Sequence, residues 1–390
     1  MRILYICPDF PTFSRGGQTF HLLSEIWGKG NNDVTVITTC VERDCGGVTK
    51  YNNFTVNFYE ISSLSRLFPE ATIFFPLRLK EKVRLISFLR KYSDSYDIIL
   101  IHGLLETIPR ICLKYIRRKE RIILTNHGLS LGSFSPVVKI FSSIFYLVLG
   151  GILIRHTNYI TYYSDYVIRQ QNLFFGNLSG RKKKKIALGI DTSMFHEFPG
   201  GLNLTESYSN GPFLFSVGRN VKIKGFDILL KSFYHLKKRF PKLRLVIAGK
   251  KTNYTDKLIS LAVALKINGF VEFVDYITEE EKLRLISNAS VFVIPSLSEG
   301  YGLNAIFARI FSVPTIATDT GNHKEILDGN AKAIVVKPGS VKELTRGIIS
   351  LLANLDNKDR TLNWEIIDKY DIKNTANEYI TLFEKVLADQ

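Results

Sequence analysis

VEFVDYITEEEKLRLISNASVFVIPSLSEGYGLNAIFARIFSVPTIATDTGNHKEI, residues 271–326, decides the fold. Three short β-branched runs in it, VEFVDY, SVFVIP and VPTIATD, are separated by helix-length segments. Strands alternating with helices build a parallel α/β sheet, and ligands of such sheets gather at the carboxyl ends of the strands. The rhythm extends upstream through PFLFSVGR and LRLVIAGK. It is also present in the first half, where RILYI, DVTVITT, YDIILIHG, RIILTNHG and YITYYSD are apolar runs closed by polar or glycine-bearing turns. Arg15-Gly16-Gly17 reads as a turn and Gln18–Trp27, which contains His21, as a helix. Between the halves, Leu188–Gly211 is rich in Gly, Pro, Ser and Asn and has little periodicity, which marks a seam. Two Rossmann-like domains follow, residues 1–190 and 191–372. The amphipathic stretch Thr375–Leu387, within the tail 373–390, reads as a helix crossing back to the first domain.

The bulk properties agree with this division. A chain of 390 residues suits two domains of about 150–200 residues each. Its 45% hydrophobic and 23% charged residues are those of a globular protein. A net charge of +16 favours a polyanionic partner, such as an anionic membrane or phosphorylated substrates. No zinc-finger spacing, RNP-like aromatic motif or bZIP-like basic region selects nucleic acid. Cys7, Cys40, Cys45 and Cys112 lack metal spacing and read as unpaired thiols of a reducing, cytoplasmic compartment. The opening MRILYICPDF reads as a first strand rather than a signal peptide. Ile140–Ile154 carries no charge but is shorter than the ~20 residues of a spanning helix, and reads as a buried core helix.

Four places can carry chemistry. After the run that ends in Gly218 come Arg219, Lys222 and Lys224, with a helix beginning near Phe226. Guanidinium fork, ammonium and helix N-terminus all suit a diphosphate, although a solvated basic loop has the same composition. In PSLSEGYGLNAIF, Pro295–Phe307, Glu299 follows a strand, Gly300 and Gly302 allow close backbone approach, and a helix starts near Leu303. A carboxylate there can accept hydrogen bonds from sugar hydroxyls. Gly16-Gly17 fits phosphate contact and a plain tight turn equally well. The fourth, Thr125-Asn126-His127-Gly128, ends a strand with a lone histidine, a residue more often structural than catalytic.

Taken together, GGQTFHLLSEI, TNHG, LGIDTSMF, SVGRNVKIKGFDILLKSF, LRLVIAG and the opening run make the chain similar to the retaining GT-B glycosyltransferases of family 4 over nearly its whole length. The resemblance implies the GT-B fold, two Rossmann-like domains with parallel sheets facing a central cleft. It implies a nucleotide-sugar donor bound by the C-terminal domain and an acceptor bound by the N-terminal one. Arg219 and Lys224 would bind the donor diphosphate, and Gly16, Gly17 and Gly218 would let backbone approach it. His127 would lie by the reacting sugar, and Glu299 would bind that sugar. Backbone amides of Gly300, Tyr301, Gly302 and Leu303 would cover sugar and phosphate. No metal and no other cofactor is implied, and none of these residues is named as a nucleophile.

Three positions depart from the family pattern. The usual Glu-x7-Glu pair would place its second carboxylate, which holds the ribose diol, at residue 307, and this chain has Phe307. Ser312 and Asn322 stand where glycines are usual. Phe cannot accept hydrogen bonds, and each lost charge-assisted bond is worth about 1.5–3 kcal/mol. The chain is then an enzyme with altered ribose recognition, one whose donor does not need that contact, or a catalytically silent GT-B subunit supporting a partner glycosyltransferase. A GT-B epimerase finds no paired carboxylates and histidines to support it.

Acceptor choice is less legible. Phe68–Tyr92 mixes Phe and Leu with Arg78, Lys80, Lys82, Arg84, Arg90 and Lys91, and Arg110–Arg121 adds further cations. Such helices suit either peripheral contact with an anionic membrane at the inner face of the cell, or solvated faces over a core. In the first case a saccharide or lipid-linked saccharide of surface polysaccharide assembly is the acceptor, by family analogy. Arg181–Lys185 reads as an exposed turn before a strand.

Overall fold

The computed structural model describes residues 1–7, 15–40, 46–60, 77–103, 107–127, 143–144, 146–151, 154, 157–176, 182–196, 211–354 and 361–390. They form two compact units, the first built from the N-terminal half together with Tyr370–Gln390, the second reaching from Ser193 to Lys369.

The first unit is a sheet of β1 (Arg2–Ile6), β2 (Asp33–Cys40), β3 (Gly47–Lys50), β4 (Phe54–Glu60), β5 (Ile98–His102), β6 (Ile122–Asn126), β7 (Tyr159–Tyr162) and β8 (Lys182–Lys185), in the order β3-β4-β2-β1-β5-β6-β7-β8. All neighbours are parallel except β3 and β4. One face is covered by α1 (Arg15–Lys29) and the C-terminal helix. The other is covered by α2 (Leu79–Tyr92), α3 (Thr107–Tyr115) and α4 (Asp165–Phe175). Both faces are apolar, which is why β5 and β6 are buried along their whole length.

The second unit is a six-stranded parallel sheet of β9 (Phe213–Val217), β10 (Arg244–Ala248), β11 (Val271–Val274), β12 (Val291–Ile294), β13 (Thr315–Thr318) and β14 (Ala333–Val336). Its order is β11-β10-β9-β12-β13-β14. The connecting helices are α5 (Phe226–Lys237), α6 (Asn253–Ala264), α7 (Glu279–Asn288), α8 (Leu303–Ile310), α9 (His323–Leu327), α10 (Val341–Ala353) and α11 (Trp364–Lys369). The strand order reverses between β9 and β12, as it does between β1 and β5 in the first unit. Such a switch point parts the loops on either side and opens a crevice at the carboxyl edge.

The last helix, α12 (Ile372–Ala388), belongs to the first unit. Tyr379 and Phe383 on it pack edge-on against Trp27 of α1, and the Trp27 indole donates to the Ala376 carbonyl at 3.2 Å.

Several local expectations are corrected. Gly16 and Gly17 lie inside the first turn of α1 rather than in a turn before it. The first four N–H groups of a helix have no intrahelical partner, so glycines there lose little. Of the basic run, Lys182–Lys185 are themselves the edge strand β8, paired in register with β7. Lysines on an edge strand keep other strands from adding to it. Cys7 and Cys112 are free and buried, but Cys40 is disulfide-bonded, against the expectation of unpaired thiols throughout. Part of 140–154 lies outside the described residues. Within it Tyr146–Gly150 make a π-helical turn and Ile154 is buried, whereas Ile144, Leu147 and Val148 are 53%, 42% and 56% exposed, so the described part is not a core helix. Among the described residues no helix is long and apolar enough to cross a membrane.

Candidate functional site

At the switch point of the second unit, β9 runs into Gly218 and Arg219, then into a single 3-10 turn, Lys222–Lys224, that leads to α5. Gly225 joins turn and helix with φ +67°, and a Cβ on it would lie 2.1 Å from the Pro295 carbonyl oxygen. Only glycine lets the start of α5 press against the end of β12. Leu297 N–H then donates to the Ile223 carbonyl at 2.7 Å, tying the two loops together.

This packing brings Lys224 and Glu299 together across the crevice. The ammonium donates to Glu299 Oε1 at 2.6 Å, and Ser296 Oγ donates to the same oxygen at 2.7 Å. The two side chains are only 22% and 14% exposed. Burial alone raises the Glu299 carboxyl, but Lys224, with His323 and the hydrogen bond from Ser296, outweighs it, and its pKa lies below the usual carboxylate value. Glu299 is therefore ionised at neutral pH. Arg219 is exposed beside the pair in sequence, and the Lys224 stem lies along Gly218.

Gly302 is the N-cap of α8, at φ +99°. A Cβ there would stand 2.5 Å from Cδ2 of His323, a fully buried ring whose Nδ1 is hydrogen-bonded to the Thr318 carbonyl at 2.9 Å. Asn322 N–H donates to the Tyr301 carbonyl at 2.9 Å, so the loop after β13 buttresses residues 299–302. Asn304 Nδ2 donates to the Val217 carbonyl at 3.2 Å and ties α8 to the end of β9. Ala305 N–H turns back to the Gly302 carbonyl at 2.9 Å, and Leu303 N–H is the first amide at the anion-favouring end of α8. Gly300 is exposed, whereas the Tyr301 side chain is buried and only its backbone borders the loop.

Phe307 is placed differently. It is 3% exposed, packs against Phe195 with ring centroids 6.3 Å apart, and carries the Lys282 ammonium over its face at 4.6 Å. Lys282 is 2% exposed and ion-paired with Glu279. An aromatic ring and a buried cation fill this position.

In the first unit the carboxyl edge holds a different group. His102 ends β5, His127 follows β6 and Tyr163 follows β7, three adjacent strands. Tyr163 Oη and His102 Nδ1 are 2.7 Å apart, and the same Nδ1 is 3.2 Å from His127 Nε2. The His127 ring lies stacked between Tyr163, at 5.0 Å, and Phe20 of α1, at 6.3 Å. Burial pushes His127 down to about 4. It lowers His102 still further from its ordinary value, with the neighbouring His127 adding to the effect. Both imidazoles are neutral at pH 7. Gly16 and Gly17 occupy the first turn of the helix that supplies Phe20, whereas His21 packs against Tyr51 and Phe54 on another side.

Thus Gly218, Lys224, Glu299, Gly302 and Leu303 share one crevice edge, and Gly16, Gly17 and His127 belong to the other unit. The residues missed from sequence are His102, Tyr163, Ser296 and His323. A polar residue closing an apolar strand would have pointed to His102. The other three come from loops whose register is set by packing. Among the described residues no cluster of three or more His, Cys, Asp or Glu could hold a metal ion.

Residues 204–363 match the family described as glycosyl transferases group 1. An uncharacterised glycosyltransferase of Methanocaldococcus jannaschii is 24% identical over 98% of this chain and 98% of its own. Sucrose-phosphate synthase from Thermosynechococcus elongatus superposes with a TM-score of 0.81, at 16% identity, over 100% of both chains. HepE of Anabaena, solved in complex with UDP, superposes with a TM-score of 0.70, at 14% identity, over 99% of this chain and 100% of that one. The fold is that of the GT-B glycosyltransferases. With the family match, the comparisons support a glycosyltransferase.

Proposed function

We propose that the chain is a retaining, metal-independent glycosyltransferase of family 4. It moves a sugar from a nucleotide-sugar to a saccharide or lipid-linked saccharide in surface polysaccharide or glycoconjugate assembly. The observation that carries the reading is the Lys224–Glu299 pair, 2.6 Å long, at the switch point of the second unit. Without ligand the Lys224 ammonium helps keep Glu299 ionised. With donor bound, Lys224 and Arg219 face the diphosphate, where negative charge grows as the glycosidic bond breaks, and fixed cations stabilise that charge without reorganisation. Glu299 accepts hydrogen bonds from sugar hydroxyls, and the amides of Gly302 and Leu303 cover sugar and phosphate. In the first unit, Gly16 and Gly17 in the first turn of α1 and the His127 imidazole are the groups suited to hydrogen-bond a ligand. The acceptor hydroxyl attacks the face the diphosphate leaves, and its proton passes to the departing phosphate oxygen, so no protein nucleophile is needed.

Calorimetric titration with UDP, GDP and ADP tests this, beside Lys224→Ala. Binding of one nucleotide that is lost in the variant is the expected result. No binding of any would favour the second reading, a silent subunit supporting a partner enzyme, for which the buried Phe307 is the supporting observation. Saccharide formed by the purified chain would exclude that second reading.

We further propose a cytoplasmic enzyme in peripheral contact with an anionic membrane. Exposed Leu79, Lys80, Lys82, Val83, Arg90 and Lys91 of α2 support it. The cationic face is smaller than composition suggests, because Arg78 and Arg84 pair with Glu60 and Glu81, and Arg121 is spent on the Tyr96 carbonyl. Flotation with anionic liposomes should show binding that salt removes; a protein left in the pellet fraction at low salt would refute the contact.

A further inference from the structure

The far flank of the first sheet carries a cluster of charge that the chemistry of the carboxyl edge does not use. β8 reads KKKK, and alternate residues of a strand point to opposite faces, so Lys182 and Lys184 share one face. Both reach α12. Lys184 donates to the Glu378 carbonyl at 3.1 Å, and Lys182 is ion-paired with Asp389. The Tyr159 hydroxyl donates to the same carboxylate and accepts from Lys182 at 3.1 Å. Hydrogen bonds from Lys182 and Tyr159 hold the Asp389 carboxyl below its usual value, with nearby Lys385 adding least. On the opposite face Lys185 pairs with Asp165 of α4 at 3.0 Å.

Between β8 and α12 lies a cavity of about 320 Å³. Tyr159 and Leu382 give it an apolar wall, and Lys182, Lys183, Lys184 and Lys385 line the rest, with no carboxylate among the described lining residues. Asp389 neutralises one of the four lysines, so the cavity keeps an excess of positive charge. Like charges held this close repel, and an anion between them relieves the repulsion. An ammonium has three hydrogens, and Lys184 gives one to the Glu378 carbonyl. The cavity lies at the amino edge of the sheet, where Tyr159 opens β7 beside Lys182, the first residue of β8. Tyr163, at the carboxyl edge, is four residues further on, about 13 Å along a strand.

We propose that this cavity is a second anion site, apart from the carboxyl edges, and that it takes an organic phosphate. Lys184 and Lys385 hold the phosphate oxygens from the strand and from the helix, and Tyr159 and Leu382 receive the apolar part of the ligand. A volume of about 320 Å³ exceeds what a bare phosphate fills and suits a small ester. A soluble phosphate ester and the headgroup of an anionic lipid present the same chemistry. Bound there, either one bridges β8 and α12 and stabilises the first unit by linkage. None of the residues named belongs to the proposed donor site, so the proposal does not rest on the glycosyltransferase reading.

The test is calorimetric titration with phenyl phosphate, made on the Lys224→Ala chain so that the crevice of the second unit does not answer for the cavity. That chain should bind the ester. Adding Lys385→Glu should weaken binding roughly tenfold or more, and so should adding Lys184→Ala. Lys373→Glu, the same charge change at another exposed position of α12, should leave binding unchanged. Lys385 is exposed, so its replacement keeps the fold, which an unchanged circular dichroism spectrum verifies. No binding of phenyl phosphate, or binding that Lys385→Glu and Lys184→Ala both leave intact, overturns the proposal. Flotation with phosphatidylglycerol vesicles then separates the two sources. Capture that Lys385→Glu abolishes and Lys373→Glu does not supports a lipid headgroup, and equal capture of the two variants supports a soluble ester. Titration with UDP, GDP and ADP decides the donor site separately, so either reading can fail while the other stands.

Discussion

The carboxyl edges of the two sheets are built alike and furnished oppositely. Each lies at a reversal of strand order, and each draws side chains from the ends of adjacent parallel strands. The edge of the second unit holds an ion pair, Lys224 and Glu299, in which the ammonium lowers the carboxyl pKa. The edge of the first unit holds two imidazoles, His102 and His127, whose pKa values burial lowers, with the Tyr163 ring against them. A charged site suits a ligand that gains charge during reaction, and a neutral hydrogen-bonding site suits one that presents hydroxyls. One topology thus supports two chemistries, because the strand ends fix where side chains converge and the sequence chooses which ones do.

The charged edge should be the more sensitive to substitution. Lys224→Ala removes the cation and leaves Glu299, 14% exposed, without its ammonium partner. A charge-assisted hydrogen bond to phosphate is worth about 1.5–3 kcal/mol, so nucleoside diphosphate affinity should fall by roughly 10- to 150-fold. A loss of less than about threefold by calorimetry would show that the pair is structural. Next in size is Gly302→Ala. The required φ of +99° and the clash with His323 should lower stability by about 1–3 kcal/mol, read as a fall in Tm. An unchanged Tm would mean that the 299–302 loop is not held by His323.

Acid should separate the two units. His102 and His127 have folded-state pKa values below the unfolded value near 6.5, so the unfolded chain binds more protons and stability falls as pH drops from about 6.5 toward 4. Glu299, lowered from 4.5, contributes stability that is present above that value and lost only below it. His323 in the second unit is also lowered, by burial, but Glu299 opposes the shift. The first unit should therefore weaken first. The chain has two tryptophans, and Trp27 lies in the first unit and Trp364 in the second. Unfolding followed in Trp364→Phe and Trp27→Phe would report each unit alone, and coincident acid transitions would break the contrast.

The smallest effect is expected at Phe307. A carboxylate introduced by Phe307→Glu would meet the Lys282 ammonium that now lies 4.6 Å from the ring centre, and would pair with it rather than with a ribose diol. Nucleoside diphosphate affinity should then change by less than about threefold, below ~0.7 kcal/mol. A tenfold gain would show that the position still faces the ribose.

The sequence carried the α/β rhythm, because apolar runs closed by glycines and charges leave a local signature. It also fixed the starts of α5 and α8, at Phe226 and Leu303. It did not disclose β3 and β4, since GVTK and FTVNFYE are short and polar enough to pass for loop. Nor did it show that Lys182–Lys185 is a strand, because nothing local distinguishes a lysine run paired at a sheet edge from one in a turn.

By itself, then, the sequence determined the two-sheet class and the residues that end its strands, since both follow from periodicity and from the φ each turn demands. Tertiary structure alone decided that Lys224 meets Glu299, that Phe307 is buried beneath Lys282, and that His102 and Tyr163 close on His127. Each of those contacts joins residues from different strands or helices. Their distances depend on register and helix packing, which no stretch of chain encodes alone.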